Sequence, residues 1–139
     1  MRSILLFVCL ILSAIFVACS GDEESKLIGD WELNSFIANC PDQGFDNFTV
    51  SATDGCANVS GSSICLYVTF NEDGTAIGRS QVDNDDEESG TFSWTLSGDN
   101  LSLCPDDGDP CADIIFDGNS MEIIEPDPDC EIRQVLTKG

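Results

Sequence analysis

From Leu27 onward, apolar side chains recur at every second position in short runs, and no stretch sustains a helical period. Period two is the pattern of a strand with one face in a core and the other in water, so it restricts the chain to an all-β fold. Trp31, Leu33, Ser35 and Ile37 share one face of a first strand, and Leu66, Val68 and Phe70 share a face of the second. A third strand covers 75–82, and a fourth, 91–96, sets Phe92, Trp94 and Leu96 together. Short strands follow at 101–104, 112–116 and 121–125, and 130–137 makes the eighth. The irregular stretch from Cys40 to Ser63 has room for one more strand around 45–50.

The connections support the same reading. Asn71-Glu72-Asp73-Gly74, Ser97-Gly98-Asp99-Asn100 and Asp117-Gly118-Asn119-Ser120 are rich in the residues that tight turns favour. Eight short strands joined mostly by hairpins fit an antiparallel up-and-down barrel, whose closure removes both exposed edges. A two-sheet β-sandwich is the alternative. The predicted inward set is Phe70, Phe92, Trp94, Leu96, Ile114, Phe116, Met121 and Ile123.

The first 18 residues read differently. One basic residue, Arg2, precedes an unbroken apolar stretch from Ile4 to Ala18, and small residues flank Cys19. The run is shorter than the ~20 apolar residues of a membrane span and has the parts of a secretory signal. A cysteine directly after the small residue points to a bacterial lipoprotein box, with residues 1–18 removed and Cys19 acylated, palmitate being one such chain. An ordinary cleaved signal with an incidental cysteine is the alternative. Residues 19–26 then form a lipidated polar tether, and 27–139 a single domain. Ser20 is not the aspartate that retains many lipoproteins at the inner membrane, so the expected address is the outer membrane or cell surface.

Composition narrows the chemistry. The chain has 26 acids and 5 bases. The leader takes one base, Arg2, and no acid, which leaves 26 against 4 and a charge near −22 on the exported part. Nucleic acid and anionic membrane surfaces are repelled by such a chain. There is no histidine, so Ser-His-Asp and Cys-His catalysis and histidine metal sites are excluded. No cofactor motif is present, and the expected activity is binding rather than catalysis.

Gly29-x-Trp31 at the head of the first strand resembles the signature of the lipocalins. The order of the acidic tether, Leu27-Ile28-Gly29-Asp30-Trp31-Glu32-Leu33, the Val68-to-Thr75 hairpin and the Trp94 strand is similar to small lipocalin-like domains of bacterial lipoproteins. The resemblance spans residues 19–139. It implies a small barrel in which Trp31 plugs the closed end. It also implies a late arginine packed over that tryptophan. Arg133 is the candidate, although antiparallel pairing of the first and last strands sets it near Phe36.

Six cysteines remain once Cys9 leaves with the leader and Cys19 takes the lipid, an even number in an exported chain. Zinc is the rival use, but no pair has tight C-x-x-C spacing. Barrel closure would bring Cys40 at the end of the first strand opposite Cys130 at the start of the eighth. Cys104 and Cys111 flank one hairpin loop, and Cys56 and Cys65 are left to tie the long first loop down. This is one connectivity of the fifteen that six cysteines allow.

Strand alternation also sorts the loops. The three tight turns lie at one end, with the tether; the loops 39–63, 83–89, 105–110 and 126–129 lie at the other. The long loops hold Asp42, Asp46, Asp54, Asp83, Asp85, Asp86, Glu87, Glu88, Asp106, Asp107, Asp109, Asp127 and Asp129, half of the acids. An acidic, disulfide-pinned rim would therefore face away from the membrane.

Three kinds of site follow. An eight-stranded barrel is just wide enough to fill itself or to hold one small ligand, so Phe70, Phe92, Trp94, Phe116 and Met121 are candidates to line an apolar pocket, or to pack a core. Asp83, Asp85 and Glu87 offer oxygen ligands to calcium, yet Glu88 stands where a calcium loop needs glycine, and solvated surface is the simpler use. A cationic protein is a further partner for the acidic rim. Glu125, at a strand end, is the acid nearest to a buried setting of the kind a glycosidase needs.

Overall fold

The computed structural model describes residues 21–126 and 129–139. The leader, Cys19, Ser20 and the rim residue Asp127 lie outside the described residues. A short helix, α1 (Gly21–Leu27), leads into β1 (Gly29–Cys40), then a 3-10 turn (Pro41–Gln43), β2 (Phe45–Ser51), β3 (Cys56–Val59) and β4 (Ser62–Phe70). β5 (Thr75–Val82), β6 (Glu88–Ser97), β7 (Asn100–Pro105), β8 (Ala112–Phe116), β9 (Ser120–Pro126) and β10 (Glu131–Lys138) complete the chain.

β4 through β10 pair in sequence order, all antiparallel, and β10 pairs with β1. β1 returns to β4 through Gly29–Glu32 against Tyr67–Phe70. The result is a closed, eight-stranded, up-and-down barrel. Closure is complete only at the lower half of β1. From Ser35 upward β1 pairs with β2, while the first residues of β4 pair with β3. β2 is the extra strand expected near 45–50; β3 was not anticipated from the sequence.

β1 corrects one expected face. Leu33 pairs with Leu136 but Ser35 pairs with Val135, so Asn34 is an extra residue in the strand. A one-residue bulge exchanges the two faces of a strand beyond it. Trp31 and Leu33 therefore point inward before the bulge, and Phe36, Ala38 and Cys40 after it; Ser35 and Ile37 leave the inner face.

Five of the predicted inward set, Phe70, Trp94, Ile114, Phe116 and Met121, belong to one buried core cluster with Leu27, Trp31, Leu101 and Leu136, and the other three, Phe92, Leu96 and Ile123, are partly buried against it. Trp31 meets Phe116 edge to face at 5.7 Å between ring centroids, and Phe70 meets Trp94 likewise at 6.1 Å. A second cluster, with Leu33, Phe36, Ala38 and Ala57 at its centre, fills the space under β2 and β3. Leu66 packs against both.

The segment expected as a plain tether is helical. Asp22, Glu23 and Glu24 sit in the first turn of α1 and Lys26 in the last, the arrangement that complements a helix dipole. Leu27 is fully buried, and the Trp31 indole N–H donates to its carbonyl at 2.7 Å. α1 rests against the tight-turn end, where a Cβ on Gly118 would meet the Lys26 side chain at 3.3 Å. Loops 83–87 and 106–111 lie at the opposite end, as strand alternation requires.

Three disulfides join Cys40 to Cys130, Cys56 to Cys65 and Cys104 to Cys111, with Cα separations of 4.3, 4.0 and 4.1 Å. These are the pairs that strand positions led us to expect. The first links β1 to the start of β10, and the second joins residues directly opposite on β3 and β4.

Candidate functional site

The end of the barrel opposite α1 is only partly filled. Gly78 on β5 and Gly90 on β6 are direct cross-strand partners, as are Ala76 and Phe92 one step deeper. A glycine inside a strand weakens it and commonly marks the close approach of another group. Here that group is the Phe92 ring, whose edge would lie 3.0 Å from a Cβ on Gly78 and 3.3 Å from one on Gly90. The glycine pair is the seat on which the ring lies.

Two clefts adjoin this ring. One, of about 300 Å³, is lined by Leu66, Gly78, Arg79, Ser80, Glu88, Ser89, Gly90 and Phe92. The other, of about 460 Å³, is lined by Gly90, Thr91, Phe92, Pro105, Asp106, Asp107 and Asp109. Phe92 and Gly90 line both, so the two clefts adjoin at this ring. Each volume is within the range of small-molecule sites, roughly 300–1,000 Å³.

Carboxylates supply the charge at this mouth. The Asp106–Asp109 loop is closed at its base by the Cys104–Cys111 disulfide, and the Asp106 N–H donates to the Thr91 carbonyl at 3.3 Å. One Asp107 oxygen accepts the Asp109 N–H at 3.2 Å. Arg79, the base among the lining residues, carries its guanidinium 5.5 Å over the Tyr67 ring.

The other expected site residues fall elsewhere. Phe70, Phe116 and Met121 are 1 % exposed and Trp94 9 %, so these four pack in the core, the second of the two uses expected for them. The Trp94 N–H is itself occupied by the Asn71 and Thr75 carbonyls, which ties it to the turn beneath. Asp83 turns to β4, its carboxylate accepting the Ser63 N–H at 2.8 Å, and does not join Asp85 and Glu87. Among the described residues no three acidic or cysteine side chains gather as a metal-ligating group. Glu125 is exposed and accepts from Gln134 at 3.0 Å, which corrects its expected setting.

Asp54 is also displaced from the rim. The loop between β2 and β3 sits partway down the wall, where the Tyr67 hydroxyl donates to the Asp54 carbonyl and Tyr67 pairs with Glu32. Arg133 pairs with Ile37 rather than Phe36, and its guanidinium engages Glu131 and Glu122, which raise its pKa. The basic residue over Trp31 is Lys138.

Sequence reasoning missed the glycine pair, Gly78 and Gly90, and placed Leu66 only on a strand face. The signal was present as a lone glycine within each of two strands, although nothing local reveals that the two are partners. No family model, curated protein or solved structure matches the chain.

Proposed function

We propose that this chain is a lipid-anchored cell-envelope protein of lipocalin-like type, whose barrel mouth binds a small apolar ligand. The observation that carries this reading is the pair of clefts that share Phe92, at the end opposite α1. Cys19 precedes α1 by one residue, so an acyl chain there would anchor the closed end and leave the mouth facing outward. The lower barrel is packed with side chains, and a ligand would rest on the ring of Phe92 and on Leu66 rather than beside Trp94.

All ten strands and α1 lie after Ser20, so the chain from Ser20 carries the whole fold. Titrating that form with the neutral fluorescent probe N-phenyl-1-naphthylamine should give saturable binding, weakened at least tenfold in Phe92→Ala. Binding that never saturates, or is indifferent to Phe92, would refute the reading. The anchor is checked separately: cells labelled with radioactive palmitate should mark the wild-type protein and not Cys19→Ser.

A further inference from the structure

We propose that the mouth selects for a cationic amphiphile, an ammonium group carrying apolar substituents, held against Phe92. This rests on the reading of the mouth as a ligand site. Its new content is the sign and type of charge the ligand bears.

Two features of the mouth converge on this chemistry. The first is apolar and aromatic: the Phe92 ring lines both clefts, Leu66 lines one of them, and the ring packs on the bare backbone of Gly78 and Gly90. An aromatic face attracts a cation through its quadrupole, and this is how quaternary ammonium groups are commonly recognised. The second is electrostatic. Glu88 lines one cleft, and Asp106, Asp107 and Asp109 line the other. Among the described residues none of these four forms an ion pair; the salt bridges found there join Lys26 to Glu23 and Arg133 to Glu122 and Glu131.

The sign follows. A cation entering the mouth meets the aromatic face and uncompensated carboxylates, whereas a fatty carboxylate with the same tail meets like charge. Arg79 offsets Glu88 in the first cleft, so the excess negative charge is that of Asp106, Asp107 and Asp109, whose cleft has no base in its lining. The mouth also offers two adjoining clefts that share Phe92. The mainly apolar one beside Leu66 suits the tail, and the one beside the Asp106–Asp109 loop suits the ammonium head.

Three probes with the same tail test the assignment: octyltrimethylammonium, octanol and octanoate, each titrated calorimetrically into the chain from Ser20 at low salt. The cation should bind at least tenfold more tightly than octanol, and octanoate more weakly than either. Raising the salt to 0.5 M should shrink the difference, because exposed charges are then screened. The triple variant Asp106→Asn, Asp107→Asn, Asp109→Asn should bring the cation down to the octanol level. These acids are exposed, so the variant is expected to fold, which a circular-dichroism melt verifies. Equal binding of cation and octanol, a preference for octanoate, or a cation preference that survives the triple variant each overturns the inference while the apolar site stands. If none of the three probes binds, the site itself is overturned as well.

Discussion

Lys138 places its ammonium 5.8 Å from the centroid of the Trp31 ring and donates to the Lys26 carbonyl at 2.7 Å. The last residue of β10 thus covers the plug of the closed end and holds the last turn of α1, where a helix presents unpaired carbonyls. Lys138→Met keeps the aliphatic stem and removes the charge. An exposed cation–π contact and a helix-end charge are each worth about 0.5–1 kcal/mol. The variant should lose about 1 kcal/mol in urea denaturation, and amides of residues 22–28 should exchange faster with deuterium.

The glycine seat makes the mouth sensitive to a single methyl group. Gly78→Ala sets a Cβ 3.0 Å from the Phe92 ring, closer than carbon atoms pack, so the ring must move toward the clefts. Affinity for N-phenyl-1-naphthylamine should change several-fold. Gly90→Ala, with 3.3 Å available, should do less. Equal affinities in all three proteins would show that the ring position does not shape the site.

The disulfides should rank by the loops they close. Cys40–Cys130 spans 90 residues, against 9 for Cys56–Cys65 and 7 for Cys104–Cys111. Loop-closure entropy gives about 4.6 kcal/mol for the first and about 2.4 kcal/mol for the last. Replacing Cys40 and Cys130 by alanine should therefore cost roughly 2 kcal/mol more than replacing Cys104 and Cys111, by urea denaturation. The smaller loss should still affect cation binding, because that bridge closes the acidic loop at the mouth.

Acid should loosen the tight-turn end. Asp117 accepts the backbone N–H groups of Asn119 and Ser120 at 2.9 and 2.7 Å, and the Ser120 hydroxyl at 3.1 Å. The Thr75 hydroxyl and N–H do the same for Asp73. Donors of this kind favour the ionised carboxylate, so both groups titrate below the ordinary aspartate value of 3.8. A depressed folded-state pKa contributes stability that is fully present above the unfolded value and disappears as pH falls through the folded one. Asp117→Ala should consequently lose less stability than wild type between pH 5 and pH 2, and the Asp117 carboxyl carbon should titrate below 3.8 by NMR.

Much of the barrel is legible because its signals are local. Leu66, Val68 and Phe70, and again Phe92, Trp94 and Leu96, alternate in plain view, and each hairpin carries its own turn residues. Barrel closure brings Cys40 opposite Cys130, because the end of the first strand faces the start of the last when the two pair antiparallel. The site is less legible. Of its residues, Phe92 was grouped with four side chains that the core absorbs, and Glu88, Asp106, Asp107 and Asp109 were read only as an acidic rim.

The amino-acid sequence by itself determined the fold class and the inward set, since each follows from period two and from counting strands, and it offered the cysteine pairs as one connectivity among fifteen. Tertiary structure alone decided three things. The bulge at Asn34 turned Phe36 and Ala38 inward, because β1 must serve both β4 below and β2 above. The acidic residues after Ser20 became helix, because Leu27 and Lys138 fasten them to the barrel floor. The mouth took its form because Gly78 and Gly90, twelve residues apart in the chain, become neighbours only when β5 and β6 pair and so clear a place for the ring of Phe92.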